Sequence, residues 1–451
     1  MKKNLLVTLL MAATLVGAIG CGNPGSSSEP GPDDKYAGLE GTALAVAKAS
    51  DMTLEELKAA SKAEMEASND TFKVVGLTST LAKALTQFCE AYDWVVSEAE
   101  AEANPELKVN TFVNNGYKDY ALLTALESAD ESYFADFALV QDARGLADYL
   151  ESGITHNYVP SDYASLGLAE EDTYPLKGIH FNKIFYHHKD YTGPELKNIW
   201  QLAGSAEDEG HISKFSFQSP VTEQINMSFL LCLQAEENAP RILEAYKKYY
   251  GKDWQASDDY ATVGEQLVKE MVDNVTTWHK SDGDSMKKTI VNAKDTVFYG
   301  AFAKMKDAAG YPYDSDGDNV DDTTVMSLVD WNLEIEGFNG FMYTMYSQIV
   351  NNAKHPYTAC LYARHLLLPE CYEAMCYNKS TPNKAGEKSN MYGYYYPCAS
   401  TTVGVNDNDL TKDQWMEKSI IEDYAYLAKV KTGQVNTILT WVNSSKAEVM
   451  K

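Results

Sequence analysis

The stretch FADFALVQD, residues 134–142, is a short apolar run that ends in two polar side chains. It predicts a buried strand over 134–140, and residues 144–152 have the pattern of a helix. Two similar strand-helix units precede it, at 72–92 and 109–128. A βαβαβ order requires right-handed crossovers and a parallel sheet with helices on its faces. The sequence therefore predicts an α/β fold, in which ligands bind beyond the carboxyl ends of the strands.

A second α/β unit is predicted in the middle of the chain. A strand at 179–187 carries the chain out of the first unit, and residues 334–340 (EIEGFNG) form the return crossing. The rest is predicted to be mainly helical, including 341–350 and a helix over 415–428. Further strands are predicted at 215–217, 296–303 and 325–333, and long helices at 239–250 and 263–279. A mature chain of about 430 residues is too long for one compact core and predicts two lobes.

The amino terminus has the features of an exported lipoprotein. A Lys-Lys pair precedes an apolar run over 5–19, which is short for a membrane-spanning helix and typical of a secretory signal. The following Gly20-Cys21 resembles the end of a bacterial lipobox, which implies lipidation of Cys21. We expect residues 1–20 to be the signal peptide and 21–44 to be the lipidated cysteine with a flexible tether. The alternative is an ordinary signal peptide that is cut nearby.

The composition excludes some partners. The formal net charge is −27 and the pI is about 4.6, which argues against nucleic acid as a partner. Six cysteines remain after Cys21, and four of them lie between 360 and 398, so an exported chain is expected to form one disulfide there. The alternative is that most are buried free thiols, and the spacing does not fix a pairing. The six are Cys89, Cys232, Cys360, Cys371, Cys376 and Cys398.

The order of these elements, with the phrases at 196–220 and 354–375, resembles the type II periplasmic binding proteins that serve ferric iron, thiamine, phosphonate and polyamine importers. The resemblance implies two lobes, each a mainly parallel sheet with helices on both faces. Two hinge crossings would join them, and hinge motion would close them over a ligand. Lobe one would combine 45–182 with 340–451, and lobe two would be 183–339.

The same resemblance implies a function. The chain would be the monomeric substrate-binding lipoprotein of an ABC-type importer, anchored to a bacterial membrane on the periplasmic or outer surface. It would capture a small molecule or ion and deliver it to a membrane permease, and it would not be an enzyme. The alternative is a calcium-stabilised surface adhesin or scaffold lipoprotein. Signatures of hydrolases, zinc proteases and phosphate loops are absent from the sequence.

Hydroxyl groups at predicted strand-to-helix loops are the first candidates for ligand binding. The free N–H groups of a helix N-terminus attract anions, and two such loops carry hydroxyls. The alternative role of these side chains is to cap their own helices. The residues are Thr78, Ser79 and Thr80 in one loop and Ser219 and Thr222 in the other.

Other candidates lie at the end of the third strand and at the crossings. Arg144 offers bidentate geometry for a carboxylate or phosphate, although a solvent-facing position is the alternative. An indole in a cleft could stack on a ligand, or it could pack in the core. The strand-end candidates are Gln141, Asp142 and Arg144, and those at the crossings are Asn182, Trp331, Asn332 and Glu334.

The charge of the ligand stays open at this stage, because acidic residues suit a cation and helix N-termini suit an anion. The 30 tyrosines include the run Tyr394-Tyr395-Tyr396. In ferric binders of the resembling family, adjacent tyrosines of the second lobe bind iron, whereas this run belongs to the predicted first lobe. Iron is therefore not favoured.

The segment DSDGDNVDD, residues 314–322, spaces carboxylates as calcium-binding loops do. Asp314, Asp316, Asp318 and Asp321 would hold a structural Ca²⁺ ion. It lacks the glutamate that completes an EF-hand, since Val325 stands there. The alternative is a solvated acidic turn.

Overall fold

The computed structural model describes nine stretches of the chain, with coordinates for residues 34–68, 71–76, 81–96, 110–113, 135–331, 333–378, 389–390, 392–399 and 409–449. Contacts divide the chain into residues 1–39 and a second unit, 40–451, which contains the fold described below. Five residues singled out from the sequence lie outside the described residues: Cys21, Thr78, Ser79, Thr80 and Asn332.

Fourteen α-helices are found among the described residues. They are α1 Gly41–Asp51, α2 Leu54–Ala67, α3 Leu81–Ala91, α4 Ala143–Glu151, α5 Gln224–Cys232, α6 Ala239–Tyr250, α7 Val263–Asn274, α8 Asp282–Asp284, α9 Met305–Ala309, α10 Pro356–His365, α11 Pro369–Cys376, α12 Lys412–Lys418, α13 Tyr424–Leu427 and α14 Thr432–Ser444.

The strands alternate with these helices over most of the chain. Within the described residues they are β1 Phe72–Gly76, β2 Asn110–Val113, β3 Phe137–Val140, β4 Thr155–His156, β5 Lys177–His188, β6 Phe215–Gln218, β7 Val275–His279, β8 Val297–Ala301, β9 Pro312–Tyr313, β10 Thr323–Thr324, β11 Val329–Trp331, β12 Gly340–Val350, β13 Tyr377–Asn378, β14 Ser389–Asn390, β15 Tyr394–Tyr395, β16 Ile420–Ile421 and β17 Glu448–Val449.

Thirteen of these strands form one sheet, with the main order β17-β7-β6-β8-β5-β12-β3-β1-β2. At one end β1, β2 and β3 are parallel, and at the other end β6, β7 and β8 are parallel. The two long central strands β5 and β12 pair antiparallel along seven residue positions. The parallel α/β units predicted from the sequence are therefore present. They share one sheet because the crossing strands pair with both.

The pairing places the carboxyl ends of the two parallel groups face to face. Strand β3 ends with Val140 opposite Tyr346 of β12, and β8 ends with Ala301 opposite Lys183 of β5. Since β3 and β5 both run antiparallel to β12, while β8 runs antiparallel to β5, β3 and β8 point toward each other. The space between their ends lies over the middle of β5 and β12. This is where a ligand binds in sheets of this kind.

Two predicted helices are wrong in part. Residues 341–350 form β12 rather than a helix, and every residue of that strand is buried. A strand buried on both faces has no alternation of polar and apolar residues, so its pattern does not differ from that of a buried helix. The helix predicted over 263–279 ends at Asn274, because the segment VTTWH, with its β-branched residues, continues as β7 parallel to β6.

At other helices, the residues that mark helix ends in the sequence do so in the structure as well. Thr53 caps α2 by accepting from the Glu56 N–H, and the Glu56 carboxylate in turn accepts from the Thr53 N–H, which completes a capping box. Pro240 occupies the first turn of α6, where its missing N–H has no consequence, and Gly251 ends that helix with a φ of 66°.

The interior contains all six described cysteines as free thiols, each of them buried. The disulfide expected in the C-terminal region is therefore not formed, and the alternative of buried thiols is the correct one. Burial raises the pKa of five of these thiols, those of Cys232, Cys360, Cys371, Cys376 and Cys398. Within the described part of the chain, no helix has the length and apolar character needed to cross a membrane.

Candidate functional site

The site is built from two strand-to-helix loops that approach each other. The first loop, 141–144, leads from β3 into α4, and the second, 219–224, leads from β6 into α5. Asp142 is the N-cap of α4 and accepts a hydrogen bond from the Arg144 backbone N–H at 3.1 Å. Glu223 is the N-cap of α5 and accepts from the Ile225 N–H at 3.4 Å. Carboxylates therefore already occupy the N-termini of both helices.

Arg144 connects the two loops. Its Nη2 donates to Oε1 of Gln224 at 2.5 Å, and its Nε lies 3.7 Å from Oδ1 of Asp142. The same Nε is buried and has no hydrogen-bond partner among the described residues. The predicted candidates Asp142 and Arg144 thus come together with the second loop, and Arg144 is not the solvent-facing residue of the alternative interpretation.

The hydroxyls predicted in the second loop interact within their own turn. Ser219 Oγ accepts from the Val221 N–H at 3.3 Å, and Thr222 Oγ1 donates to the Ser219 carbonyl at 3.2 Å. Glu223, rather than either of them, caps α5. These two residues lie in the second loop, and the residue that reaches across from this loop is Gln224.

Aromatic side chains of β5, β12 and β15 pack against one another in the middle of the sheet. Tyr343 of β12 stacks on Phe181 of β5 with ring centroids 5.5 Å apart, and Tyr394 lies 4.8 Å from Phe181. Burial raises the pKa of Tyr343 well above its ordinary value, and the Glu223 carboxylate adds to the effect.

The structure contains a buried carboxyl group that the sequence did not indicate. Glu422 follows β16, and its Oε2 accepts from the Thr344 N–H at 3.2 Å and from the Tyr346 hydroxyl at 3.0 Å. Burial raises the pKa of Glu422 to about 8; hydrogen bonds from Thr344 and Tyr346 lower it, and Asp142 raises it. The sequence predicted one helix over 415–428, but the Ile420-Ile421 pair forms β16 there.

A buried ionic network lies at the carboxyl ends of β6 and β7. Lys183 Nζ is 2.9 Å from Oδ2 of Asp282, and His279 Nε2 is 3.0 Å from Oδ1 of the same carboxylate. Burial opposes ionisation of Asp282, but Lys183 and His279 outweigh it and hold its pKa below the ordinary value. Ser216 Oγ lies 3.3 Å from His279 Nδ1 but is 2.7 Å from the Thr277 carbonyl, to which it donates. The series Ser216, His279 and Asp282 has a structural role. Ser216 is buried, and its hydroxyl already donates its proton to the Thr277 carbonyl.

Three predicted crossing residues take other positions. Asn182 is fully buried, neither atom of its side-chain amide has a hydrogen-bond partner among the described residues, and it lies on the sheet face opposite Tyr343. Trp331 packs against Phe302 at 5.0 Å. Glu334 is exposed and pairs with Lys418 at 2.8 Å. Contacts with the Arg144 cluster are not among those described for these side chains.

The tyrosine run has partners within the protein. The Tyr395 hydroxyl donates to the Asp409 carboxylate at 2.9 Å, and the Tyr396 hydroxyl donates to the Leu367 carbonyl at 2.6 Å. Burial raises the pKa of Asp409 to about 6. Strand β15 pairs with β5 at Phe181, so this run lies along a crossing strand.

The acidic loop 314–322 joins the two strands of the β9–β10 hairpin. Carboxylate oxygens of Asp314, Asp316 and Asp318 lie within 4.8 Å of one another, and Asp321 is outside that group. Asp314 accepts from the backbone N–H groups of Gly317 and Asn319, each at 2.7 Å. Three of the four predicted ligands are thus close enough to share one ion.

Solved structures give the comparison that bears on the fold. FutA (IdiA) of Trichodesmium, solved in complex with iron and citrate, superimposes on this chain with a TM-score of 0.50 at 15% identity. The match covers 82% of this chain and 99% of the FutA chain. Iron-bound HitA from Pseudomonas aeruginosa covers 83% of this chain and 98% of its own, with a TM-score of 0.52 at 10% identity. The fold is that of the type II periplasmic binding proteins. No protein-family model and no curated protein matches the sequence.

This periplasmic-binding-protein fold confirms the fold class expected from the sequence. The two parallel groups of strands lie on either side of the paired strands β5 and β12. The predicted boundary after 182 lies within β5, and the boundary before 340 lies at the start of β12. The contact between Arg144 and Gln224 thus joins loops from the two facing groups of strands.

Proposed function

We propose that this chain captures a small solute between the facing loops of its two lobes and delivers it to the membrane permease of an ABC-type importer. The observation that carries the proposal is the Arg144–Gln224 hydrogen bond, since it connects the carboxyl end of β3 with that of β6. A ligand held by both loops would favour the closed arrangement, because it interacts with both lobes only when they are together.

The proposal includes a lipid anchor at Cys21 and a location at a bacterial membrane surface. The support is the sequence at 1–21 and the glycine-, serine- and proline-rich segment that follows it. An anchor of this kind would keep the solute trap close to its permease. Labelling with a radioactive fatty acid tests the anchor, with wild type labelled and Cys21→Ala unlabelled as the expected result.

Iron is not part of the proposal, although both solved structures described above contain it. Adjacent tyrosine hydroxyls would have to be free to bind ferric iron, but Tyr395 and Tyr396 donate to Asp409 and Leu367. The alternative function, a calcium-stabilised scaffold, receives no support from the structural comparisons.

Native mass spectrometry of freshly purified protein tests the proposed function. We expect a small co-purifying solute on wild type and its loss, or about tenfold weaker binding, in Arg144→Ala, because the charged hydrogen bond between the loops is removed. The matched control is Lys214→Ala, which removes one positive charge just before β6, from an exposed ion pair with Asp295. A chain that carries no solute and shows no thermal response to a broad metabolite panel would reject the proposal and favour the scaffold.

A further inference from the structure

A serine, a histidine and an aspartate from distant parts of the chain form a hydrogen-bonded triad at the amino ends of β1 and β3. Ser68 is the C-cap of α2, Asp136 directly precedes β3, and His355 is the N-cap of α10. The histidine ring lies between the other two side chains. Its Nδ1 is 3.2 Å from Oδ2 of Asp136, and its Nε2 is 2.9 Å from Oγ of Ser68. The proposed solute site follows the opposite, carboxyl end of β3, so the triad is separate from it.

Asp136 holds the imidazole ring in one orientation. Its Oδ1 accepts from the backbone N–H groups of Lys354 and His355, each at 2.9 Å, and its Oδ2 accepts from the Lys73 N–H at 2.8 Å. His355 is thus bound to one carboxylate through both its backbone and its ring. The side chains of Asp136 and His355 are 0% exposed. The base of the triad is therefore fixed by buried hydrogen bonds on the side away from the serine.

The same hydrogen bonds determine the tautomer of the ring. A carboxylate only accepts, so the proton between Asp136 and His355 belongs to Nδ1. In the neutral imidazole the lone pair then lies on Nε2, which accepts the hydroxyl proton of Ser68. A nucleophile within hydrogen-bond reach of a base, with a third group that orients the base, is the arrangement that activates a serine.

Ser216, which also lies near a buried histidine, shows what distinguishes the triad. Ser216 is 2% exposed, and its hydroxyl donates to the Thr277 carbonyl rather than to His279. Ser68 is only half-buried, and its Oγ faces the lone pair of the histidine. The two serines therefore differ both in their contact with solvent and in the direction of the hydroxyl proton.

The surroundings of Ser68 limit the chemistry that the triad supports. Rapid acyl transfer also needs N–H groups that stabilise the oxyanion of the tetrahedral intermediate. At the N-terminus of α10, the N–H groups of Tyr357 and Thr358 both donate to the Glu64 carboxylate, which lies one turn before Ser68 in α2. These donors are not available for an oxyanion, so the triad provides an activated nucleophile rather than a site of rapid turnover.

We propose that Ser68 is an acyl acceptor, which takes one acyl group from an activated ester and keeps it as a serine ester. In this step Oγ of Ser68 forms a bond to the acyl carbon, and the bond between that carbon and the alcohol or thiol leaving group breaks. The hydroxyl proton passes to Nε2 of His355 and from there to the leaving group. The inference goes beyond the proposed function and does not rest on it.

Two probes test this proposal on the folded mature chain at pH 7, p-nitrophenyl acetate and a fluorophosphonate. Wild type should release about one equivalent of nitrophenolate and gain one acetyl group, which peptide mapping by mass spectrometry should place on Ser68. The fluorophosphonate should label the same residue with loss of fluoride. Ser68→Ala should lose both labels, and His355→Gln should label about 100-fold more slowly, because it has no base beside the hydroxyl.

The matched control is Ser50→Ala. Ser50 is also half-buried and lies near the end of α1, but its hydroxyl donates to the Val46 carbonyl within that helix. This variant should be labelled at Ser68 at the wild-type rate. In wild type, the peptide that contains Ser216 should stay unlabelled.

A measurement on wild type alone makes the test independent of whether the variants fold. Wild type unfolded in urea keeps every nucleophile but loses the triad, so Ser68 should react about 100-fold more slowly than in the folded chain. Equal labelling of Ser68 in folded and unfolded wild type would overturn the inference. So would an unlabelled Ser68 in the folded chain, or a wild-type rate in folded His355→Gln.

Discussion

Two acidic regions of this chain differ in almost every physical respect except composition. The loop 314–322 has five aspartates within nine residues, and it lies at the surface between β9 and β10. The other region contains Asp142 and Glu422, two carboxyl groups 280 positions apart in the sequence, and both are buried. The first is conspicuous in the sequence and the second is not.

The comparison shows that burial, rather than the number of carboxylates, decides how strongly an acidic group is perturbed. Asp316 and Asp318 are exposed to water, which stabilises their charges and screens them from one another. Glu422 is surrounded by protein, and its pKa rises to about 8 because the charged form loses its hydration. A single buried carboxyl therefore has more influence on stability and binding than a longer exposed run.

The largest expected effect on stability concerns Asp282, a buried carboxylate that, unlike Glu422, forms an ion pair with a lysine. Asp282→Asn leaves the buried Lys183 ammonium without its counter-charge and should lower the free energy of unfolding by about 3–5 kcal/mol. Denaturant unfolding of wild type and Asp282→Asn at pH 7 measures this loss of free energy.

The control for this variant is Asp295→Asn, which breaks the exposed pair with Lys214 and should cost about 0–1 kcal/mol. Because the pKa of Asp282 is lowered in the folded state, its contribution is present above the ordinary aspartate range and is lost as the pH falls. Equal losses in the two variants would break the comparison, because burial would then not matter.

The next effect concerns the pH dependence of stability. The folded state holds the pKa of Glu422 near 8, above its value in the unfolded chain, so the native state retains a proton that the unfolded state has lost. Unfolding free energy should fall as the pH rises from about 5 to about 8, by on the order of 4 kcal/mol from this residue.

The measurement compares wild type with Glu422→Gln at several pH values by denaturant unfolding. The difference between them should shrink or reverse across that window, whereas Asp316→Asn should follow wild type throughout, since its carboxyl is exposed. Parallel curves for wild type and Glu422→Gln would contradict a buried proton at this position.

The smallest effect tests the exposed loop itself. If Asp314, Asp316 and Asp318 share a calcium ion, calcium should stabilise the folded chain by about 2.7 kcal/mol at a hundredfold excess over Kd. Calorimetric melting should then show a higher Tm for wild type, but no shift for Asp316→Ala. Equal shifts in the two proteins would show that the loop is a solvated turn.

The fold was largely predictable because its elements are local. Strand β3, the strand-to-helix order and helices such as α6 follow from short apolar runs with recognisable caps. The return strand β12 was missed because a strand buried on both faces has no period-two pattern. The Ile420-Ile421 strand was missed because two residues give too short a signal between helical segments.

The site was predictable only on one side. Asp142 and Arg144 follow a clear strand, and the strand-end rule indicates them. Gln224, on the opposite side, has no property in sequence that distinguishes it from other helix-starting residues. Trp331 and Glu334 had suitable chemistry at a crossing, but the sequence could not tell which side of that crossing they face.

The sequence by itself determined the two α/β units and the cluster of aspartates at 314–322, because strand, helix and turn preferences act over a few residues. The tertiary structure alone decided that Glu422 accepts from Thr344 and Tyr346 and that Arg144 reaches Gln224. Those contacts depend on the pairing of β3, β5, β12 and β16. Pairing over such separations is set by the packing of the whole sheet, and so is the burial that gives these charges their properties.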